Sequence, residues 1–184
     1  MSLLKKMAAV CMTAGVMFAT GSAQAKSLVV YYSESGYTKN VANTIAKHLN
    51  GDTFELIPAE PYSGADLDYN NPSSRVSREH DNPNRVVKLR ENRVSGFADY
   101  DTVFVAYPIW WGIAAWPVDD FVRNNDFDGK KVIPVATSFS SPLGQSGILL
   151  MDMAQSGVWH EGIRFSSGVD EKTVTEWLDS LNLR

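Results

Sequence analysis

Cysteine is all but missing from this 184-residue chain: the single copy, Cys11, lies close to the N-terminus. Once that segment is set aside, no thiol, disulfide or cysteine metal ligand remains. Long hydrophobic runs are missing too. The longest, Met7 to about Ala19, falls short of the roughly 20 residues that cross a bilayer. Excess positive charge is absent, since the formal net charge is −4, and nothing therefore favours binding to nucleic acid phosphates.

The short apolar run has another use. Lys5-Lys6, the apolar stretch and Ala23-Gln24-Ala25 form the three parts of a secretory signal peptide. Residues 1–25 are read as that leader and Lys26 as the start of the mature chain, with no membrane span after cleavage. Lys5-Lys6 is not a twin-arginine signal, so a Sec-type route for an unfolded chain is expected. The destination is the periplasm if the cell is Gram-negative. Residues 26–184 are one domain's worth of chain.

Along that domain, β-branched runs alternate with helical patterns, as in βαβ units around a parallel sheet. Strands are predicted at Leu28–Tyr32, Thr53–Ile57, Thr102–Tyr107 and Lys131–Thr137, the last with an odd internal Pro134. A fifth, weaker strand is expected within Val158–Phe165. Helices are predicted over Thr38–Leu49, from Pro117, and over Glu171–Leu181. The stretch 59–96, rich in Asn, Pro, Ser, Asp and Arg, breaks the rhythm. It reads as a functional excursion with one short helix near Asn84–Asn92. Strands buried on both faces give a doubly wound α/β/α sandwich.

In such a sheet, ligands bind beyond the carboxyl ends of the strands. Three loops leave those ends. The first, Ser33-Glu34-Ser35-Gly36-Tyr37-Thr38, sets hydroxyls beside a helix N-terminus, a natural anion site. Simple helix capping by Ser35 or Thr38 is the plainer reading. The loop lacks both the Gly-Lys-Ser/Thr ending of a nucleoside triphosphate loop and the spaced glycines of a dinucleotide fingerprint. The second, Pro108-Ile109-Trp110-Trp111-Gly112, leads on to Trp116-Pro117. Its tryptophans suit stacking on a flat ligand, although Trp116 reads better as packing. The third, Thr137-Ser138-Phe139 through Gly144 to Gly147, offers hydroxyls and backbone N–H groups.

Read together, these loops resemble the flavodoxin family, and more narrowly its exported bacterial flavodoxin-like members. The resemblance rests on Ser35-Gly36-x-Thr38-Lys39, on Tyr107-Pro108-Ile109-Trp110-Trp111-Gly112, and on Gly129-Lys130-Lys131 with Thr137-Ser138. It implies a five-stranded parallel sheet of order 2-1-3-4-5 and FMN as cofactor. The phosphate falls to Ser33, Glu34, Ser35, Gly36, Tyr37 and Thr38. The ring falls to Pro108, Ile109, Trp110, Trp111 and Gly112, with Thr137, Ser138, Phe139 and Gly144 as the second wall. Tyr37 stands where the family is small and polar, and Phe139-Ser140-Ser141-Pro142 where it is glycine-rich.

The implied function is electron transfer outside the cytoplasm, to a redox partner protein or a small-molecule acceptor. The alternatives are an FMN-dependent NAD(P)H quinone or nitro reductase, and a binding protein that has lost FMN. No catalytic acid, base or nucleophile and no metal set is identified. His48 suits a helix C-terminus, His160 is read as packing, and His80 as an outside candidate for a ligand contact. Arg75, Arg78 and Arg85 are read as a solvated face.

Overall fold

The computed structural model describes residues 25–181 and 183. The leader reading, apart from Ala25, lies outside the described residues. The sheet is built on strands β1 (Ser27–Tyr31), β2 (Asp52–Glu55), β3 (Thr102–Trp110) and β5 (Lys131–Ser138), with a short β4 (Ile113–Ala114). The last strand is split into β6 (Val158–Trp159) and β7 (Ile163–Ser166). The order is β2-β1-β3-β5-β6, with β7 continuing beside β5 and β4 folded back on β3. All pairs in the main path are parallel, and this is the expected order with one broken strand.

The break has a visible cause. Val132 accepts a hydrogen bond from His160 N on the β6 side, so two residues on, the missing N–H of Pro134 faces the same side. Trp159 is level with Val132 and Ile163 with Val135, so the edge strand carries one extra residue opposite Pro134. Gly162 fills the crossing, where a Cβ would lie 2.6 Å from the Pro134 carbonyl oxygen.

Side chains alternate between two cores, as a sheet covered on both faces requires. Val29, Tyr31, Phe104, Ala106, Ile133 and Val135 face helices α1 (Tyr37–Leu49) and α5 (Glu171–Ser180). Leu28, Val30, Val103, Val105 and Val132 face α3 (Pro117–Asn124) and α4 (Ser146–Ala154). Helix α1 forms because Val41, Ala42, Ile45 and Ala46 make one apolar stripe. It ends at Asn50, left-handed at φ 51°, whose N–H closes on the last turn. Helix α3 starts with Pro117 in its first turn and Asp119 and Asp120 beside the helix dipole.

The excursion is ordered. Its helix is α2 (Arg75–Asp81), capped by Ser74, which accepts from Ser77 N. This corrects the expectation of a helix over 84–92. There Val87 and Leu89 are both buried, a period of two. The segment pairs antiparallel with the residues around Pro58 through Ala59 N to Lys88 O and Arg90 N to Ile57 O, each 2.8 Å. Tyr62, Val76, Val87 and Trp116 form a small third core beneath it.

Candidate functional site

The first loop turns out of β1 into α1 through Gly36, left-handed at φ 86°. Nothing lies within 4 Å of a Cβ there, so the backbone angle alone calls for glycine. No side chain caps α1 and its first turn has no acidic residue. The plainer capping reading of Ser35 or Thr38 is therefore set aside, and the N-cap of the helix has no side-chain partner. Ser33 Oγ is buried and makes no hydrogen bond, an arrangement that costs about 1–3 kcal/mol unless a ligand atom meets it. Thr38 Oγ1 lies 2.8 Å from Thr137 Oγ1, which ties this loop to the third. Glu34 accepts a 2.5 Å hydrogen bond from the Tyr32 phenol. Burial, and then Glu34, push that phenol far above its ordinary range.

The second loop is a β-hairpin. Ile109 pairs with Ala114 and Trp110 with Ile113, which leaves Trp111-Gly112 as a two-residue turn with φ of 47° and 82°. Positive φ at both positions is the type I′ pattern, which Asn-Gly normally supplies. A tryptophan held there stores about 1–2 kcal/mol. The three indoles differ in role. Trp116 is buried and donates from Nε1 to Glu79 at 2.8 Å, so its packing role holds. Trp110 meets Tyr32, Tyr62 and Trp116 edge to face at 5.5, 5.6 and 4.9 Å. Trp111 is 43% exposed and stacks on His80 at 4.6 Å.

The third loop is braced from below. Arg164 on β7 donates to Ser138 Oγ at 2.8 Å and to Ser138 O at 3.0 Å. Ser138 Oγ in turn donates to Ser141 O at 2.5 Å. Ser146 starts α4 and lies 3.1 Å from the phenol of Tyr107, which burial pushes up to about 12 while Ser146 opposes the shift. Gly144 is left-handed at φ 54°, and a Cβ there would meet Gly112 O of the hairpin at an ordinary contact distance of 3.6 Å, so the backbone angle is what calls for glycine.

The three loops enclose one cleft of about 590 Å³. Its lining comes from the first loop (Glu34, Ser35, Tyr37), the second (Pro108 to Trp111) and the third (Thr137 to Ser141). The excursion adds Leu67, Tyr69 and Val76, and the turn after β7 adds Ser167. Among the described residues, Glu34 is the only carboxylate, lysine or arginine in that lining.

A flavodoxin family model matches residues 26–181. The chain belongs to the flavodoxin family. A candidate flavoprotein of Bacteroides eggerthii is 35% identical with a TM-score of 0.78, over 86% of this chain and 99% of its own. Another from Bacteroides uniformis is 34% identical with a TM-score of 0.79, over 85% and 99%. A flavoprotein of Lactobacillus acidophilus, solved in complex with FMN, shares the fold at 20% identity and a TM-score of 0.59, over 84% and 99%. Comparison with curated proteins gives no match.

Within the flavodoxin frame, the residues singled out from sequence converge. Glu34, Ser35, Tyr37, Pro108, Ile109, Trp110, Trp111, Thr137, Ser138 and Phe139 line the cleft. Ser33, Gly36 and Thr38 belong to its first loop, Gly112 to the second and Gly144 to the third, but none of these five is in the lining itself. Two lesser readings change. Arg75 and Arg85 are not a solvated face: their guanidinium groups lie over Tyr62 at 4.1 Å and Trp116 at 4.7 Å. His160 is exposed rather than packed. Sequence reasoning missed Leu67, Tyr69, Val76 and Ser167. Ser167 follows the end of the fifth strand, so the strand-end rule itself had the signal. The other three lie in the excursion, which is expected to be functional and a candidate wall for a reductase, but no spacing in the sequence shows which of its residues reach the cleft.

Proposed function

We propose that this flavodoxin-family chain binds FMN and transfers electrons outside the cytoplasm. The observation that carries the reading is the first loop, where the buried, unpartnered Ser33 Oγ lies beside an uncapped helix N-terminus. A phosphate monoester satisfies both groups: its oxygens accept from the N–H groups and the hydroxyl, and its charge suits the helix dipole. Backbone N–H groups from Glu34 to Thr38 would hold the phosphate with the hydroxyls of Ser33 and Ser35. Trp110, Trp111 and Phe139 would flank the ring. FMN supplies the redox chemistry, while the protein sets its binding, orientation and surroundings.

The electrostatics favour an electron carrier over a nicotinamide-dependent reductase. Among the described residues, Glu34 is the one charged side chain of the lining, and no lysine or arginine of that lining offers a contact to the pyrophosphate of a dinucleotide. Negative charge near a reduced, anionic flavin also lowers its potential. A redox partner protein fits this reading. The wall formed by Leu67, Tyr69 and Val76 favours a second one, reduction of a small apolar acceptor inside the cleft. Action outside the cytoplasm rests on the leader-like N-terminus.

The test is anaerobic titration of flavin-free protein with FMN, followed by measurement of its one-electron potentials and of turnover with NADH and NADPH. Expected are a yellow protein, quenched flavin fluorescence, a Kd below micromolar and no nicotinamide turnover. A colourless protein that leaves flavin fluorescence unchanged contradicts the FMN reading, and rapid nicotinamide turnover contradicts the carrier reading.

A further inference from the structure

The chain has seven tyrosines, and six are accounted for by packing. Tyr31, Tyr32, Tyr62, Tyr100 and Tyr107 are buried, and Tyr37 packs edge to face on Phe139. Tyr69 is different. It is 70% exposed, yet it lines the same cleft as Trp110 and Trp111. Among the described residues no aromatic ring packs against it. A large ring left in contact with water at the mouth of a cleft is free area for a flat ligand to cover.

The backbone beneath Tyr69 is held on both sides. Asp68 Oδ1 accepts from Asn70 N at 3.1 Å, and Asp68 O accepts from Asn71 N at 3.0 Å. Asn71 Oδ1 accepts from Ser73 N at 2.9 Å, and Asn71 O from Ser74 N at 3.0 Å. Asp66 O accepts from Val76 N at 2.9 Å, which fastens this turn to α2. Helix α2 is in turn fixed by Glu79, which accepts from Tyr62 at 2.5 Å, from Arg75 at 2.7 Å and from Trp116 at 2.8 Å. The ring is thus carried on a turn already ordered, so recruiting it to a ligand costs little further ordering entropy.

We propose that Tyr69 is a ring-stacking residue of the cleft, contributed by the excursion, and that its ligand is the planar isoalloxazine of the flavin. The inference rests on the FMN reading and extends it: strand-end loops hold the phosphate, and the excursion adds an aromatic contact for the ring. It also assigns the excursion a binding role.

The test compares the native chain, Tyr69→Ala and Tyr69→Phe in binding to FMN and to lumiflavin, which has the ring system but no phosphate. Because Tyr69 is largely exposed, both variants should fold with unchanged Tm. Tyr69→Ala is expected to weaken both flavins by similar factors, about two- to twelve-fold, the range that one aromatic stacking contact confers. Tyr69→Phe should bind both as the native chain does. The proposal is overturned if Tyr69→Ala binds both flavins natively, if it weakens FMN alone, or if Tyr69→Phe is as weak as Tyr69→Ala. Failure of the FMN reading is separate and visible in the control, since the native chain would then bind neither flavin.

Discussion

The ring of Tyr37 meets the ring of Phe139 edge to face at 5.6 Å, joining the first loop to the third across the cleft. Tyr37 and the stretch Phe139-Ser140-Ser141-Pro142 are the two places where the sequence departs from the pattern that the resemblance implies, and this contact joins them. Phe139 is 79% exposed, so the contact is a surface bridge rather than part of the core. It involves the first residue of α1, Tyr37.

Both residues line the cleft, so under the FMN reading this bridge would border the bound flavin. Phe139→Ala is expected to raise the FMN dissociation rate about two- to twelve-fold, with a smaller change in association. Stopped-flow fluorescence measures both rates. An unchanged dissociation rate would show that the two rings do not restrain the ligand.

Trp111 presents about half of its surface to solvent and is backed by His80. Trp111→Ala should weaken FMN binding by about 0.5–1.5 kcal/mol plus the burial lost. Fluorescence titration checks this, and native affinity would transfer the stacking role to Trp110.

Glu79 holds the excursion against the second loop through Tyr62, Arg75 and Trp116. Glu79→Ala would leave three donors short of their acceptor. It is expected to destabilise the fold by about 2 kcal/mol, a fall in Tm of roughly 4–8 °C. Calorimetry decides the point: a change below one degree would mean that water replaces the carboxylate without loss.

Burial raises the Asp119 carboxyl from 3.8 to about 6, against the opposing pull of Arg85 and Arg123. The folded state therefore binds this proton more tightly than the unfolded state. Its contribution to stability falls as pH rises from about 4 to about 6 and is level above that. Asp119→Asn removes the loss, so at pH 7.5 it should gain up to about 3 kcal/mol, or up to about 6–12 °C in Tm. The gain should vanish near pH 4. A gain of equal size at both pH values would contradict the assignment.

The parts legible in the sequence are those fixed by local pattern. Buried strands such as Thr102–Tyr107 read as apolar runs, and the strand-end rule then locates Ser33–Thr38, Pro108–Gly112 and Thr137–Gly144 without any contact map. The excursion was legible as a functional interruption with one helix, but not in its placement. Its placement depends on Glu79 reaching Trp116, 37 residues away, and on Asp120 accepting from Leu89 N across 31. Neither partner can be chosen from spacing. Residues 84–92 looked helical by composition, whereas their burial alternates at Val87 and Leu89, and two positions are too few to establish a strand period. Pro134 was visible as an anomaly, but its explanation required the split partner strand.

The proposed flavin site at the start of α1 owes its specificity to the phosphate. This is tested most directly by the ratio of riboflavin to FMN dissociation constants, measured by fluorescence quenching in the native chain and in Ser33→Ala. The native chain is expected to bind FMN at least tenfold more tightly than riboflavin. Ser33→Ala should reduce that ratio several-fold by weakening FMN alone. Equal affinity for the two flavins in the native chain would contradict it.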